Sequence, residues 1–144
     1  MAWWKKILGS DLDSKRVDYY EEGLELIKEG RFHEGLTSLR LMLKESQGDV
    51  AVLQQIAIAY TRIGMTEEAA KTYRSALEWD PSAPGAHYGL AFLLLRDGQE
   101  EKAARHLEAF LSKPPGGPDA AEHVAHARAT LADLIARSAP DADA

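Results

Sequence analysis

The side chains in this chain best suited to chemistry are its histidines and its paired carboxylates. His123 and His126 stand three residues apart beside Glu122, a spacing that on a helix presents two imidazoles to one side. Such a pair could offer itself to a metal ion, but a closed site needs further ligands and none is evident in the sequence. The chain has no cysteine, so thiolate ligands and disulfides are both excluded. The carboxylate pairs Glu21–Glu22, Glu67–Glu68 and Glu100–Glu101 are the other candidates, for general acid and base work. All fall at helix starts or on polar faces, where solvation and the positive end of the helix dipole account for them. There is no phosphate-binding glycine loop, no G-x-S-x-G, no H-E-x-x-H and no calcium loop. The sequence predicts no catalytic residue, no metal and no cofactor, and so not an enzyme.

Bulk properties narrow the classes further. A net charge of −6 and a pI near 5.3 argue against a nucleic-acid partner, which needs a basic stripe for phosphates. With 45% hydrophobic and 28% charged residues, composition is that of a soluble globular domain. The longest apolar run, Gly89 to Leu95, is far short of the roughly 18 residues that argue for a membrane helix.

The elements that must position any site are plainest over residues 50–83. Leu53, Ile56, Ala57 and Tyr60 fall at i, i+3, i+4 and i+7, one apolar stripe of a helix. Gly64 ends it, being free to enter the left-handed conformation. Thr66 is the expected N-cap of a second helix, with Glu67 and Glu68 in its first turn and Ala69, Tyr73, Ala76 and Leu77 on its apolar side. Pro81 closes the unit. The same marks recur at 34-residue intervals: Gly30, Gly64 and Gly98; Leu43, Leu77 and Leu111; Lys28, Arg62 and Arg96; Pro81 and Pro115. A fixed period with a helix-turn-helix in each unit is the signature of a helical repeat array.

Period and pattern together resemble the tetratricopeptide repeat. The middle unit carries the resemblance through Leu53, Ile56, Ala57, Tyr60, Gly64, Ala69, Tyr73, Ala76 and Pro81. The third carries it through Leu90, Ala91, Leu94, Gly98, Ala103, Leu107 and Pro115, departing at His87 and Phe110. The first, most degenerate unit keeps Tyr19, Gly23, Leu26, Gly30, Leu39 and Leu43, with Glu22 and Gln47 where an apolar residue and a proline are usual. The resemblance implies an all-α fold, a right-handed superhelix of antiparallel helix pairs with repeats over 16–49, 50–83 and 84–117. Residues 118–137 are expected to form a capping helix with Ala121, Val124, Ala125, Leu131, Leu134 and Ile135 inward, and 138–144 a disordered tail.

The same resemblance implies a non-enzymatic scaffold that takes a partner's peptide or helix in a concave groove lined by the first helices. The groove residues would be Tyr20, Leu24, Ile27 and Lys28; Gln54, Ile58, Thr61 and Arg62; and Tyr88, Phe92, Leu95 and Arg96. They compose an apolar, aromatic surface with cations along one edge. For Leu24, Ile58 and Phe92 packing within the superhelix is the competing role, and for the three cations plain solvation or pairing with nearby carboxylates. Where tetratricopeptide domains that clamp a C-terminal carboxylate need Lys, Asn and Arg, this chain has Tyr20, Leu24, Gln55, Gly85 and Gly89, so no such clamp is expected.

The N-terminal residues MAWWKKILG lack an apolar core and cleavage site of a secretory signal, which points to the cytoplasm. Trp3, Trp4, Ile7 and Leu8 are nonetheless many large apolar groups for a tail. Three roles stay open for them: packing on the first repeat, a weak peripheral contact with an anionic membrane, or docking on a partner or a second copy as a homo-oligomer.

Overall fold

The computed structural model describes residues 19–139. The expectations placed on residues 1–15, including the segment of Trp3, Trp4, Ile7 and Leu8, lie outside that range, as does the tail from residue 140. Among the described residues every regular element is a helix. Helix α1 covers 19–28, followed by α2 (Phe32–Glu45), α3 (Val50–Ile63), α4 (Thr66–Trp79), α5 (Pro84–Arg96), α6 (Glu100–Ser112) and α7 (Pro118–Ser138). This is the all-α helical-repeat class that the 34-residue period implies.

One turn, used three times, makes helix pairs out of this chain. Gly64 has φ of +93°, and its N–H donates to the Thr61 carbonyl while that of Met65 donates to Tyr60 at 2.9 Å. Those two bonds satisfy carbonyls that the end of α3 would otherwise leave unpaired, and the left-handed residue reverses the chain within three positions. The pattern recurs as Gly30 N–H to Ile27 with Arg31 N–H to Leu26, and as Gly98 N–H to Leu95 with Gln99 N–H to Leu94. The second helix then starts at once. The first intrahelical bonds run from Gly35, Ala69 and Ala103 to the carbonyls of Arg31, Met65 and Gln99, again 34 residues apart. Met65 is therefore the N-cap of α4 and Thr66 its first helical residue, one position before the expected start. No side-chain cap is made at Arg31 or Gln99 either; the turn itself fixes where the helix begins. By contrast Asp49 caps α3 directly, its carboxylate accepting from the Val52 N–H at 3.2 Å.

The described residues fall into two compact units, one ending at residue 72 and the other beginning at residue 73, with the division inside α4. In the first, Leu36 and Leu39 of α2 meet Val52, Ile56 and Ala59 of α3 in a buried cluster, with Tyr20, Ile27, Met42, Leu43, Tyr60 and Ile63 packed around it. Helix α1 lies close on α2 because Gly23 and Gly35 are at the crossing. A Cβ on Gly23 would sit 2.8 Å from Leu39 Cγ, and one on Gly35 2.9 Å from Ile27 Cγ1.

In the second unit Ala91, Leu107, Phe110, Ala127 and Leu134 make the core, drawn from α5, α6 and α7. Tyr73 of α4 is buried, and its ring fits only because residue 89 of α5 has no side chain: a Cβ there would lie 2.3 Å from Tyr73 Cζ. Helix α7 buries Ala127 and Leu134 and half-buries Val124 and Leu131, a single stripe at i, i+3, i+7 and i+10. The expected inward set is corrected in three places: Ala121 and Ala125 are exposed, and Ile135 is 55% exposed. The stripe instead runs through Ala127, which is fully buried in the core of this unit. The expected end at Arg137 falls one residue short of Ser138, the last helical residue.

Two outcomes test this packing. Ala69 is fully buried, so Ala69→Asp places an unpaired carboxylate between helices at a cost of roughly 3–5 kcal/mol. The variant should lose its cooperative thermal transition in far-UV circular dichroism. Gly89→Ala drives a methyl into the Tyr73 ring and should lower the denaturant midpoint by the equivalent of about 1–3 kcal/mol. An unchanged midpoint would mean that α4 and α5 do not approach this closely.

Candidate partner-binding surface

The twelve expected groove residues share one helical geometry. On α1, α3 and α5 they occur at i, i+4, i+7 and i+8, positions that fall on the same face of a helix. Helices α1 and α3 bring theirs into the first unit. Tyr20 and Ile27 are half-buried and pack on the Leu36–Leu39–Val52 cluster, so their rings and methyls are already engaged. Leu24 and Ile58 are half-buried as well. Gln54 turns its amide back to the Val50 carbonyl at 3.3 Å, and the Thr61 hydroxyl donates to the Ala57 carbonyl at 2.8 Å. These two polar side chains therefore serve their own helix. Lys28 is exposed and lies 3.6 Å from Glu25. Arg62 is exposed, and among the described residues it has no ion-pair partner.

The second unit concentrates aromatic rings. Tyr88 packs against Phe92 with centroids 4.8 Å apart, against Phe110 at 5.2 Å, and receives the edge of His123 at 5.0 Å. Phe92 in turn is stacked on His126, at 4.8 Å and 17° between planes. Such edge-on and offset arrangements let the positive rim of one ring meet the negative face of the next. Phe110, where the repeat pattern has a small residue, supplies the floor of the cluster and is 2% exposed. Burial pushes the Tyr88 phenol above the ordinary tyrosine value of 10.0. Leu95 packs on the same core, while Arg96 is exposed and, like Arg62, has no ion-pair partner among the described residues.

Helix α7 thus lies over part of the surface expected to face a ligand. Besides its apolar stripe it is tied to α6 through Arg137, whose guanidinium donates to Glu100 at 2.9 Å and to Asp133 at 3.1 Å. His123 and His126 have exposed outer edges, yet their rings rest on Tyr88 and Phe92 rather than converging on a common point. The sequence does hold the signal for this. Pro84 and Pro118 are 34 residues apart and each is the first residue of its helix, so α7 starts where a further repeat would start. His126 is then the equivalent of Phe92.

Comparison with known proteins agrees with this geometry. A tetratricopeptide-repeat family model matches residues 64–125. The inactive TPR repeat-containing thioredoxin TTL3 of Arabidopsis thaliana is 35% identical over 85 residues, 59% of this chain. The chain spans only 12% of that protein's length. Among solved structures, the Yersinia enterocolitica type III secretion chaperone SycD, in complex with a peptide of the translocator YopD, superposes with a TM-score of 0.78 at 14% identity. The match covers 85% of this chain and 93% of that one. The TPR2B domain of yeast Sti1, in its pHsp70 complex, gives 0.75 at 17% identity, covering 86% and 98%. At such identities the likeness is one of fold.

The raised Tyr88 value carries a pH dependence with a definite sign. A phenol whose folded pKa exceeds its unfolded value contributes stability that is complete below pH 10.0 and is lost as pH rises through the folded value. Thermal unfolding of the wild-type chain should therefore weaken above about pH 10, and Tyr88→Phe should weaken less. Equal losses would show that Tyr88 is fully solvated.

Proposed function

We propose that this chain, matched by a tetratricopeptide-repeat family model over residues 64–125, is a non-enzymatic scaffold that binds a peptide or helix of a partner protein on the repeated first-helix face. The observation that carries this reading is the state of Arg62 and Arg96. Each ends the first helix of its repeat, is exposed, and makes no ion pair among the described residues, although 23 Asp and Glu residues outnumber the 17 Lys and Arg. Next to each lie half-buried apolar groups, Ile58 in one unit and Phe92 and Leu95 in the other. A half-buried side chain has already lost much of its rotamer freedom, so a ligand that covers it incurs little further ordering cost. The guanidinium offers a fork of donors for a carboxylate. Within each unit the apolar groups and the guanidinium suit a peptide segment that carries an apolar anchor beside an acidic residue.

The solved relatives support the reading by example, since SycD is seen with a peptide of YopD. The mode of capture should differ from recognition of a terminal carboxylate. Tyr20, Leu24, Gln55, Gly85 and Gly89 supply no cation at the positions where the clamp needs one, and residue 89 has no room for one beside Tyr73. A ligand would be held along its length by apolar anchors.

The test starts with capture on the full-length chain from native lysate and identification of the retained protein by mass spectrometry. Its bound segment is then titrated as a synthetic peptide against Arg62→Glu, Arg96→Glu and the double variant. Charge reversal at exposed sites should leave the melting temperature unchanged and weaken binding at least tenfold, about 1.4 kcal/mol, with a smaller loss at high salt. Undiminished affinity in the double variant overturns the reading. Capture that survives it but fails on deleting residues 1–9 would move the site to Trp3, Trp4, Ile7 and Leu8.

A further inference from the structure

The third repeat holds a pair of imidazoles that neither the packing nor the docking surface explains. His87 of α5 and His106 of α6 face one another with their Nδ1 atoms 3.0 Å apart and ring centroids 5.2 Å apart. On its other side the His87 ring brings Nε2 to 2.8 Å from the Pro81 carbonyl, in the connection between α4 and α5. A carbonyl only accepts, so His87 carries a proton on Nε2 and, when neutral, presents a bare lone pair at Nδ1. His106 must then donate its Nδ1–H. Two ring protons and two acceptors, the Pro81 carbonyl and His87 Nδ1, are thereby fixed in a chain that joins the α4–α5 connection, α5 and α6.

This chain has no place for another proton. Added to His87 Nδ1, it would set two N–H groups head to head at 3.0 Å and break the pair. Added to His106 Nε2, it would create an imidazolium on a partly buried ring. The charged groups acting on that ring are His87 from α5, Arg74 from α4 and Arg105 from α6 itself, every one of them positive when ionised. Burial and this repulsion hold the His106 imidazole below the ordinary histidine value of 6.5.

We propose that the His87–His106 pair is an acid-sensitive fastening of the third repeat, closed while both rings are neutral and opened by protonation. The device belongs to this repeat alone. One period earlier the equivalent positions hold Leu53 and Thr72, and two periods earlier Tyr19 and Ser38, none of which titrates near neutrality. The sign follows from linkage. A histidine whose folded value is depressed contributes stability that is present above the unfolded value of about 6.5 and lost as pH falls through the folded one. Helix α5, which the pair fastens, also bears Tyr88 and Phe92, so acid would loosen the aromatic cluster from its own backbone outward. The proposal stands without the docking reading, because its readouts are tautomers and stability.

Two measurements on the full-length chain decide it. Two-bond proton–nitrogen spectra of imidazole-labelled protein, from about pH 8 down to about pH 5, should show His87 as the Nε2–H tautomer and His106 as the Nδ1–H tautomer. His106 should titrate below 6.5. An Nε2–H tautomer at His106, or a midpoint at or above 6.5, overturns the proposal. Thermal unfolding over the same range then compares wild type with His106→Gln, whose amide N–H can donate to His87 Nδ1 but takes up no proton. At the acid end His106→Gln should lose at least ~2 °C less than wild type, with His33→Gln as the reference that behaves like wild type. Parallel losses in all three overturn it; the wild-type spectra decide the matter if His106→Gln does not fold.

Discussion

The structure depends first on a backbone reversal that side chains other than hydrogen resist. At Gly30, Gly64 and Gly98 the chain enters a left-handed conformation, with φ of 80°, 93° and 77°, and two hydrogen bonds close the end of one helix as the next begins. An L-residue with a Cβ would face a penalty of roughly 1–2 kcal/mol at each. Everything lateral follows from that turn. It sets the second helix antiparallel to the first, brings Ala69 and Ala103 to fully buried positions, and leaves the first-helix face in the same register each time. The missing side chains of Gly23, Gly35 and Gly89 then decide how near neighbouring helices come. Packing here is governed as much by absent atoms as by present ones.

Within that frame the side chains proposed to face a ligand are compromises. Tyr20 and Ile27 steady the core of their unit, and Tyr88 and Phe92 share their faces with Phe110, His123 and His126. A side chain held on both sides is a rigid anchor with little area left to give. The guanidinium groups of Arg62 and Arg96 are the reverse, exposed and without an ion-pair partner among the described residues. On the proposed surface, specificity would come from the fixed apolar shape and the approach rate from the charges.

Most of the fold was legible in the sequence because its determinants are local. Glycine spacing located the turns, and i, i+3, i+4, i+7 stripes located the helices between them. What escaped was anything requiring a second element to be in place. Thr66 reads as a cap, since Thr favours that position, but the preceding glycine turn had already made Met65 the first carbonyl to be used. The inward face of α7 was misjudged at Ala121, Ala125 and Ile135 because alanine is too small to mark a face, and the buried one is Ala127. Tyr88 and Phe92 were correctly grouped on one side of α5. A helical wheel says which residues share a side and is silent on whether two imidazoles from another helix rest there. The pairing of His87 with His106, 19 residues apart, lay beyond any local pattern.

Helix α7 starts in phase with the repeats, at Pro118, and yet runs for 21 residues where α3 and α5 have 14 and 13. The position one period after Gly98 is Ala132, inside α7. The apolar stripe of α7 continues past it to Leu134. Where Gly98 turns the chain, Ala132 continues the helix, and α7 is one long rod in the place of a hairpin. A Cβ at that position favours continued helix over the left-handed turn by roughly 1–2 kcal/mol, so the length of α7 follows from the same backbone preference that makes the three glycine turns.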